Sequence, residues 1–217
     1  KLAFTGSTGV GRGIARAAAE RVVPVTLELG GKSANIVFPD APMDRAVEAA
    51  AMGILYGQGQ VCSAGSRLLL HESIHDDVVE RLKGQFEAVR IGDPLDEASR
   101  MGPMVSEEQL QTVLGYVERG LAEGARLVTG GNRLEGSLYG AGWYMAPTLF
   151  ADCRPEMEVV QEEIFGPVLV VQKFRDEEEA VRLANESRYG LAGAVWTRDI
   201  NRALRVSSEV DTGTIWV

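Results

Sequence analysis

Three observations predict an α/β fold built on a parallel sheet. Short apolar runs alternate with helix-period segments of about 10–15 residues, the pattern of βαβ units. At 217 residues and 45% hydrophobic content, the chain can bury a sizeable core in one or two domains. A glycine-rich turn, Gly6-Ser7-Thr8-Gly9-Val10-Gly11, runs from the first apolar stretch into an alanine-rich segment, as expected of a strand–turn–helix unit.

Taken in order, residues 2–5 read as a short strand and 12–22 as a helix that ends before Pro24. Residues 25–29 and 34–38 are apolar strands. The Pro39-Asp40-Ala41-Pro42 turn opens a helix over 43–56, whose inward face carries Ala46, Val47, Ala50, Ile54 and Leu55 at helical spacing. Residues 67–71 form a strand and 74–89 an amphipathic helix. Ser106, followed by Glu107 and Glu108, marks a helix start that places acidic side chains at the positive dipole end; that helix runs to about 123. A strand over 124–131 leads into a loop over 132–143, then strands over 144–150 and 168–174. The Asp176-Glu177-Glu178-Glu179 run reads as a solvated helix N-terminus. Strands over 191–196 and 213–217 flank a last helix over 199–208. No internal repeat is visible.

Composition narrows the function. A net charge of −9 with no basic stripe argues against nucleic-acid partners. No apolar run approaches the ~18 residues of a membrane span, and no signal peptide is visible. Cys62 and Cys153 are too few for a disulfide framework and suit a reducing, cytoplasmic compartment. His71 and His75 stand apart from any cysteine cluster, so no metal site is expected. His71 reads as a strand-end residue, His75 as a helix-start residue, and Cys153 as structural.

Two stretches carry chemistry. Tyr56-Gly57-Gln58-Gly59-Gln60-Val61-Cys62-Ser63-Ala64-Gly65 puts one cysteine between a small-residue helix and an apolar strand. Its glycines allow sharp bends and close approach to a ligand. Taken alone, Cys62 also fits a buried small hydrophobe. Upstream, Val25-Thr26-Leu27-Glu28-Leu29-Gly30-Gly31-Lys32 places Glu28 at the end of an apolar strand, before a Gly-Gly turn. A carboxylate at a strand's carboxyl end lies where α/β proteins bind ligands, although taken alone such a glutamate is more often a strand-end residue paired with a lysine.

Together these stretches resemble the glutamate and cysteine signatures of the aldehyde dehydrogenase superfamily, roughly L-E-L-G-G-K and G-Q-x-C about 34 residues apart. The resemblance extends through Phe4-Thr5-Gly6-Ser7 and Glu162-Glu163-Ile164-Phe165-Gly166-Pro167. It implies a parallel-sheet catalytic domain over 30–217, preceded over 1–29 by the tail of a Rossmann-like cofactor domain. It also implies NAD or NADP as cofactor, a small aldehyde as substrate, and a homo-dimer or tetramer in the longer parent. Gly6 and Ser7 would contact the cofactor's pyrophosphate. Gly11 would let its helix pack closely, and Leu29 would join the cofactor contacts. Glu163 would accept hydrogen bonds from the ribose hydroxyls beside the nicotinamide, with Phe165 packed against the same region.

In this reading the Cys62 thiolate attacks the aldehyde. Hydride leaves to the nicotinamide, and water activated by Glu28 hydrolyses the thioester. Burial at the strand end would raise the pKa of Glu28 toward neutrality. The presence of this glutamate favours release of a free acid over transfer to coenzyme A. Family members are typically more than twice as long, so the resemblance implies a central piece. Such a piece would lack the family's asparagine oxyanion donor, the adenosine-ribose region and the C-terminal closure of the aldehyde tunnel, and would be poorly active by itself. Two other readings stay open: a cysteine hydrolase pairing Cys62 with His71 or His75, and a non-catalytic structural fragment.

Overall fold

The computed structural model describes residues 1–140 and 142–217. In chain order the elements are β1 (Leu2–Thr5), α1 (Thr8–Glu20), β2 (Val25–Glu28), β3 (Ala34–Val37), α2 (Met43–Leu55), β4 (Arg67–His71), α3 (His75–Glu87) and α4 (Glu107–Ala122). They continue with β5 (Arg126–Thr129), β6 (Thr148–Ala151), α5 (Glu158–Gln161), β7 (Val168–Phe174), α6 (Glu177–Asn185), β8 (Ala192–Trp196), α7 (Ile200–Glu209) and β9 (Thr214–Trp216). The fold is mixed α/β with a mostly parallel sheet.

β1 and β2 pair in parallel only with each other, while the remaining strands form one seven-stranded sheet ordered β5-β6-β7-β4-β3-β8-β9. All its pairings are parallel except β5 with β6. That antiparallel edge departs from the parallel alternation read from the sequence. Its cause is local: among the described residues no helix lies between β5 and β6, and a parallel pair needs a crossover of a dozen or more residues, usually helical. The expected loop over 132–143 joins them, with Ala141 outside the described residues.

The central strands are continuous apolar runs because both their faces are covered. Leu68 and Leu70 of β4 point toward α2 and α3, against Val47, Ile54, Val78 and Leu82. Leu69 points the other way, against Phe174, Ala180 and Val206. This period-two division of one Leu-Leu-Leu run anchors β4 on both sides. Over β6 and β7, α4 and α5 pack Val113, Val117 and Val159 on Phe150, Val168 and Val170.

Arg67, the first residue of β4, is buried to 2% exposure. Its guanidinium donates to the carbonyls of Lys32 (3.0 Å), Leu183 (2.9 Å) and Ala184 (2.8 Å). A cation at the last turn of α6 suits the helix dipole. The same side chain ties the segment before β3 to the start of β4, which fixes where the two signature stretches meet.

Two boundaries moved furthest. α1 begins at Thr8 rather than residue 12, because the Ser7 side chain caps it by accepting from the Val10 N–H at 3.4 Å. β6 is shorter than the strand expected over 144–150, since Pro147 cannot donate to a ladder.

Candidate active site

Glu28 ends β2, and Gly30 and Gly31 lead from it toward β3. Each glycine lets a different functional group approach the backbone. A Cβ on Gly30 would lie 1.8 Å from Glu163 Oε2, and one on Gly31 would lie 2.5 Å from the Cys62 carbonyl oxygen. A side chain at Gly31 would collide with backbone and one at Gly30 would displace the Glu163 carboxylate, so the turn serves as a contact surface for two distant segments. The Gly31 N–H donates to Glu163 Oε1 at 3.2 Å.

The cysteine loop is shaped by Gly57, Gln58 and Gly59, which take φ values of 58°, 57° and 67°. These left-handed residues end α2 at Leu55, one residue short of the expected end, and turn the chain sharply. A Cβ on Gly59 would lie 2.1 Å from the Gly166 carbonyl oxygen. The loop thus seats directly on the Glu163–Gly166 segment. Cys62 itself is exposed, not the buried small hydrophobe that a free cysteine usually is.

A cleft of about 640 Å³ gathers Gly6, Ser7, Glu28, Leu29, Cys62, Glu163 and Phe165 among its lining. All the site residues implied by the family resemblance reach it except Gly11. That glycine is buried in α1, where a Cβ would lie 2.5 Å from Leu29 Cδ2, so it seats α1 on the leucine that does line the cleft. Gly6 and Ser7 bring the N-terminal end of α1 to the cleft edge, the positive end of the helix dipole. The Gly6 N–H donates to the Glu28 carbonyl at 3.0 Å, joining that turn to β2.

Glu28 corrects one expectation. It is exposed, not buried at an apolar strand end, because the two-stranded β1–β2 sheet leaves most of β2 uncovered. Glu163 is half-buried, and burial pushes its pKa up, opposed by the Gly31 N–H and the Lys32 charge.

The sequence reading did not single out Lys32 or Gln109. Lys32 is 2% exposed, and its Nζ has no hydrogen-bond partner among the described residues. Burial, aided by the Arg67 charge, lowers its pKa to about 7 from the ordinary 10.5. The unfolded chain therefore holds this proton at pH values where the folded chain has lost it. Stability should rise between pH 7 and 10, by up to about 1.4 kcal/mol per pH unit. Urea midpoints measured across that range should rise in the wild type and flatten in Lys32→Met; parallel slopes would refute the assignment. Gln109, near the start of α4, lines the cleft and reaches the 164–165 backbone. No motif marks it.

Cys153 is buried, and burial pushes its thiol up to about 12. A thiol reagent at neutral pH should titrate one cysteine rapidly in the native chain and two after unfolding. Loss of the fast phase in Cys62→Ala would confirm which one.

Neither histidine lines the cleft. His71 closes the carboxyl end of β4 and bonds Ser73 Oγ at 2.8 Å, whereas Cys62 precedes the amino end of that strand. His75 is fully buried, with Nδ1 2.7 Å from Asp76. The histidine-assisted hydrolase reading therefore has no base beside the thiol. Among the described residues no cluster of His, Cys, Asp and Glu could hold a metal, and no helix is long and apolar enough to cross a membrane.

A sequence model described as the aldehyde dehydrogenase family matches residues 1–217. Among solved structures, betaine aldehyde dehydrogenase from Staphylococcus aureus in complex with NAD+ is similar at 42% identity and a TM-score of 0.97, covering 99% of this chain and 43% of that one. A P449M variant of that enzyme, in complex with NAD+ and with a BME-modified cysteine, matches at the same identity and TM-score over 44% of its chain. A Burkholderia cenocepacia protein assigned to the aldehyde dehydrogenases is 44% identical with a TM-score of 0.96, covering 99% of this chain and 44% of its own. The chain thus spans less than half the length of the structures it matches.

Proposed function

The chain belongs to the aldehyde dehydrogenase family, and from that premise we propose that its cleft oxidises an aldehyde to a carboxylic acid with NAD or NADP. The observation that carries this reading is the convergence of Cys62, Glu28, Glu163 and Phe165 on one cleft, from segments far apart in the chain. Residues 1–29 would be the tail of the cofactor domain, and 30–217 most of the catalytic domain.

The donor set fits a dinucleotide. Glu163 offers carboxylate oxygens to ribose hydroxyls, one of them already held by Gly31 N–H. The α1 N-terminus, with Gly6 and Ser7, offers its positive end to the pyrophosphate. Leu29 and the exposed Phe165 ring supply apolar contact.

Cys62 Sγ, as the thiolate, attacks the aldehyde carbon and the C–S bond of a thiohemiacetal forms. The Cys62 backbone N–H donates to no acceptor among the described residues, so it is free to stabilise the oxyanion. When bound, the cofactor would supply the hydride acceptor through its nicotinamide. Loss of hydride leaves a thioester on Cys62. Glu28 takes a proton from a water that attacks this thioester, the C–S bond breaks, and the acid departs. A second hollow of about 430 Å³, lined by Tyr56, Val61, Ser63, Trp196 and Trp216, lies beyond Val61, which borders both spaces. It offers aromatic, uncharged room beside the nucleophile for the rest of the substrate.

The test is aldehyde-dependent NADH or NADPH formation over a panel that includes betaine aldehyde, on which the S. aureus neighbour acts. No reduction of either cofactor by the intact protein would overturn the reading. The 217-residue chain alone is expected to turn over slowly, because its cofactor side rests on a two-stranded sheet, and such sheets are marginal by themselves.

A further inference from the structure

We propose that Gln109 is a positioning residue: its side-chain amide clamps the Ile164 and Phe165 carbonyls, holding the Glu163 carboxylate and the Phe165 ring where the cofactor's ribose and nicotinamide bind. The inference rests on the cofactor reading of the cleft given above.

Gln109 Nε2 donates to the Phe165 carbonyl at 2.9 Å and to the Ile164 carbonyl at 3.2 Å. Both N–H bonds of one amide are thereby used on consecutive carbonyls of one loop. Among the described residues, these are the only hydrogen bonds made by the Ile164 and Phe165 backbone. Gln109 is itself well anchored, because its backbone N–H donates to the capping Ser106 Oγ at 3.1 Å. The clamp is therefore a fixed point on the rigid start of α4.

The loop needs such a hold. Phe165 takes φ of 55°, a left-handed conformation that a bulky side chain rarely adopts and that persists only when its surroundings over-determine it. On one side of it, Glu163 must face the Gly30-Gly31 turn. On the other, Gly166 must pack under Gly59 of the cysteine loop and against Val113 of α4. Without the clamp, Phe165 is free to relax toward negative φ, which redirects its ring and swings Glu163 away from Gly31. The thiol lies on a separate loop with its own seat on Gly31, so cofactor affinity should suffer more than the chemistry at Cys62.

The first test needs no cofactor. Chymotrypsin cleavage after Phe165, located by mass spectrometry, should run about five- to tenfold faster in Gln109→Ala with the melting temperature unchanged. Equal cleavage rates would overturn the clamp. The second test is fluorescence titration with NADH and steady-state kinetics on the intact protein. Gln109→Ala and Gln109→Glu should each raise Kd and the KM for cofactor about tenfold, leave kcat within about twofold, and leave the aldehyde KM unchanged. In a Glu163→Gln background the Gln109 substitutions should add little, because they act through that carboxylate. Fully additive losses would mean direct cofactor contact and would overturn the positioning role. If Glu163→Gln leaves cofactor binding untouched, the reading of the cleft fails, while the cleavage test still decides the clamp.

Discussion

Cys62→Ala should lower aldehyde oxidation by the intact protein by on the order of 10⁴-fold or more, since groups that act as a catalytic unit show losses of that scale when one is removed. Cys62 is the one thiol that lines the cleft, and Cys153 is buried with its thiol pushed up to about 12. His71 lies at the far end of β4, away from the thiol. The fold should be unaffected, because Cys62 is exposed and its loop is held through Gly31 and Gly59. Steady-state kinetics at saturating aldehyde, with melting temperature as control, decides the matter. Activity within tenfold of wild type would remove Cys62 from the chemistry.

Glu28→Gln should separate the two halves of the reaction. In the reaction proposed above, acylation does not need the carboxylate, so the variant should release a burst of one reduced cofactor per site. Steady-state turnover should then fall about 10²- to 10⁴-fold, the usual contribution of a general base. Rapid-quench mass spectrometry should find the acyl group on Cys62 in the variant. A loss of the burst itself would make Glu28 a group for thiol activation or cofactor binding and would refute its role in hydrolysis. Glu28 is exposed in this chain, not buried at the strand end as the sequence suggested.

Much of the site was legible from local chemistry. Cys62 between glycines and Glu28 before a Gly-Gly turn are short-range patterns, and both face the same cleft. Strands β4 and β7 were also readable to the residue, because each is built on an apolar run, Leu68–Leu70 and Val168–Val171, as parallel strands covered on both faces are. The antiparallel edge was not readable. An apolar run has the same pattern whichever way its neighbour points, and only the absence of a crossover helix between β5 and β6 decided it. Gln109 was invisible for a related reason. A glutamine on the first turn of a helix is ordinary, and its two acceptors lie 55 and 56 residues away.

The sequence by itself determined which atoms are available for chemistry: a thiol with small neighbours, two carboxylates, and glycines where backbones must touch. Such requirements are local, and residue type states them directly. The tertiary structure decided where those atoms meet. Glu28 lies at the carboxyl end of β2, as the strand-end rule suggests, but Cys62 and Glu163 precede the amino ends of β4 and β7. The cleft therefore forms between the carboxyl end of the two-stranded sheet and the amino ends of the seven-stranded one. That arrangement also set the exposure of Glu28, the burial of Lys32 and the grip of Gln109 on Phe165. Each depends on contacts between segments distant in the chain, whose energies exist only once the sheets have packed.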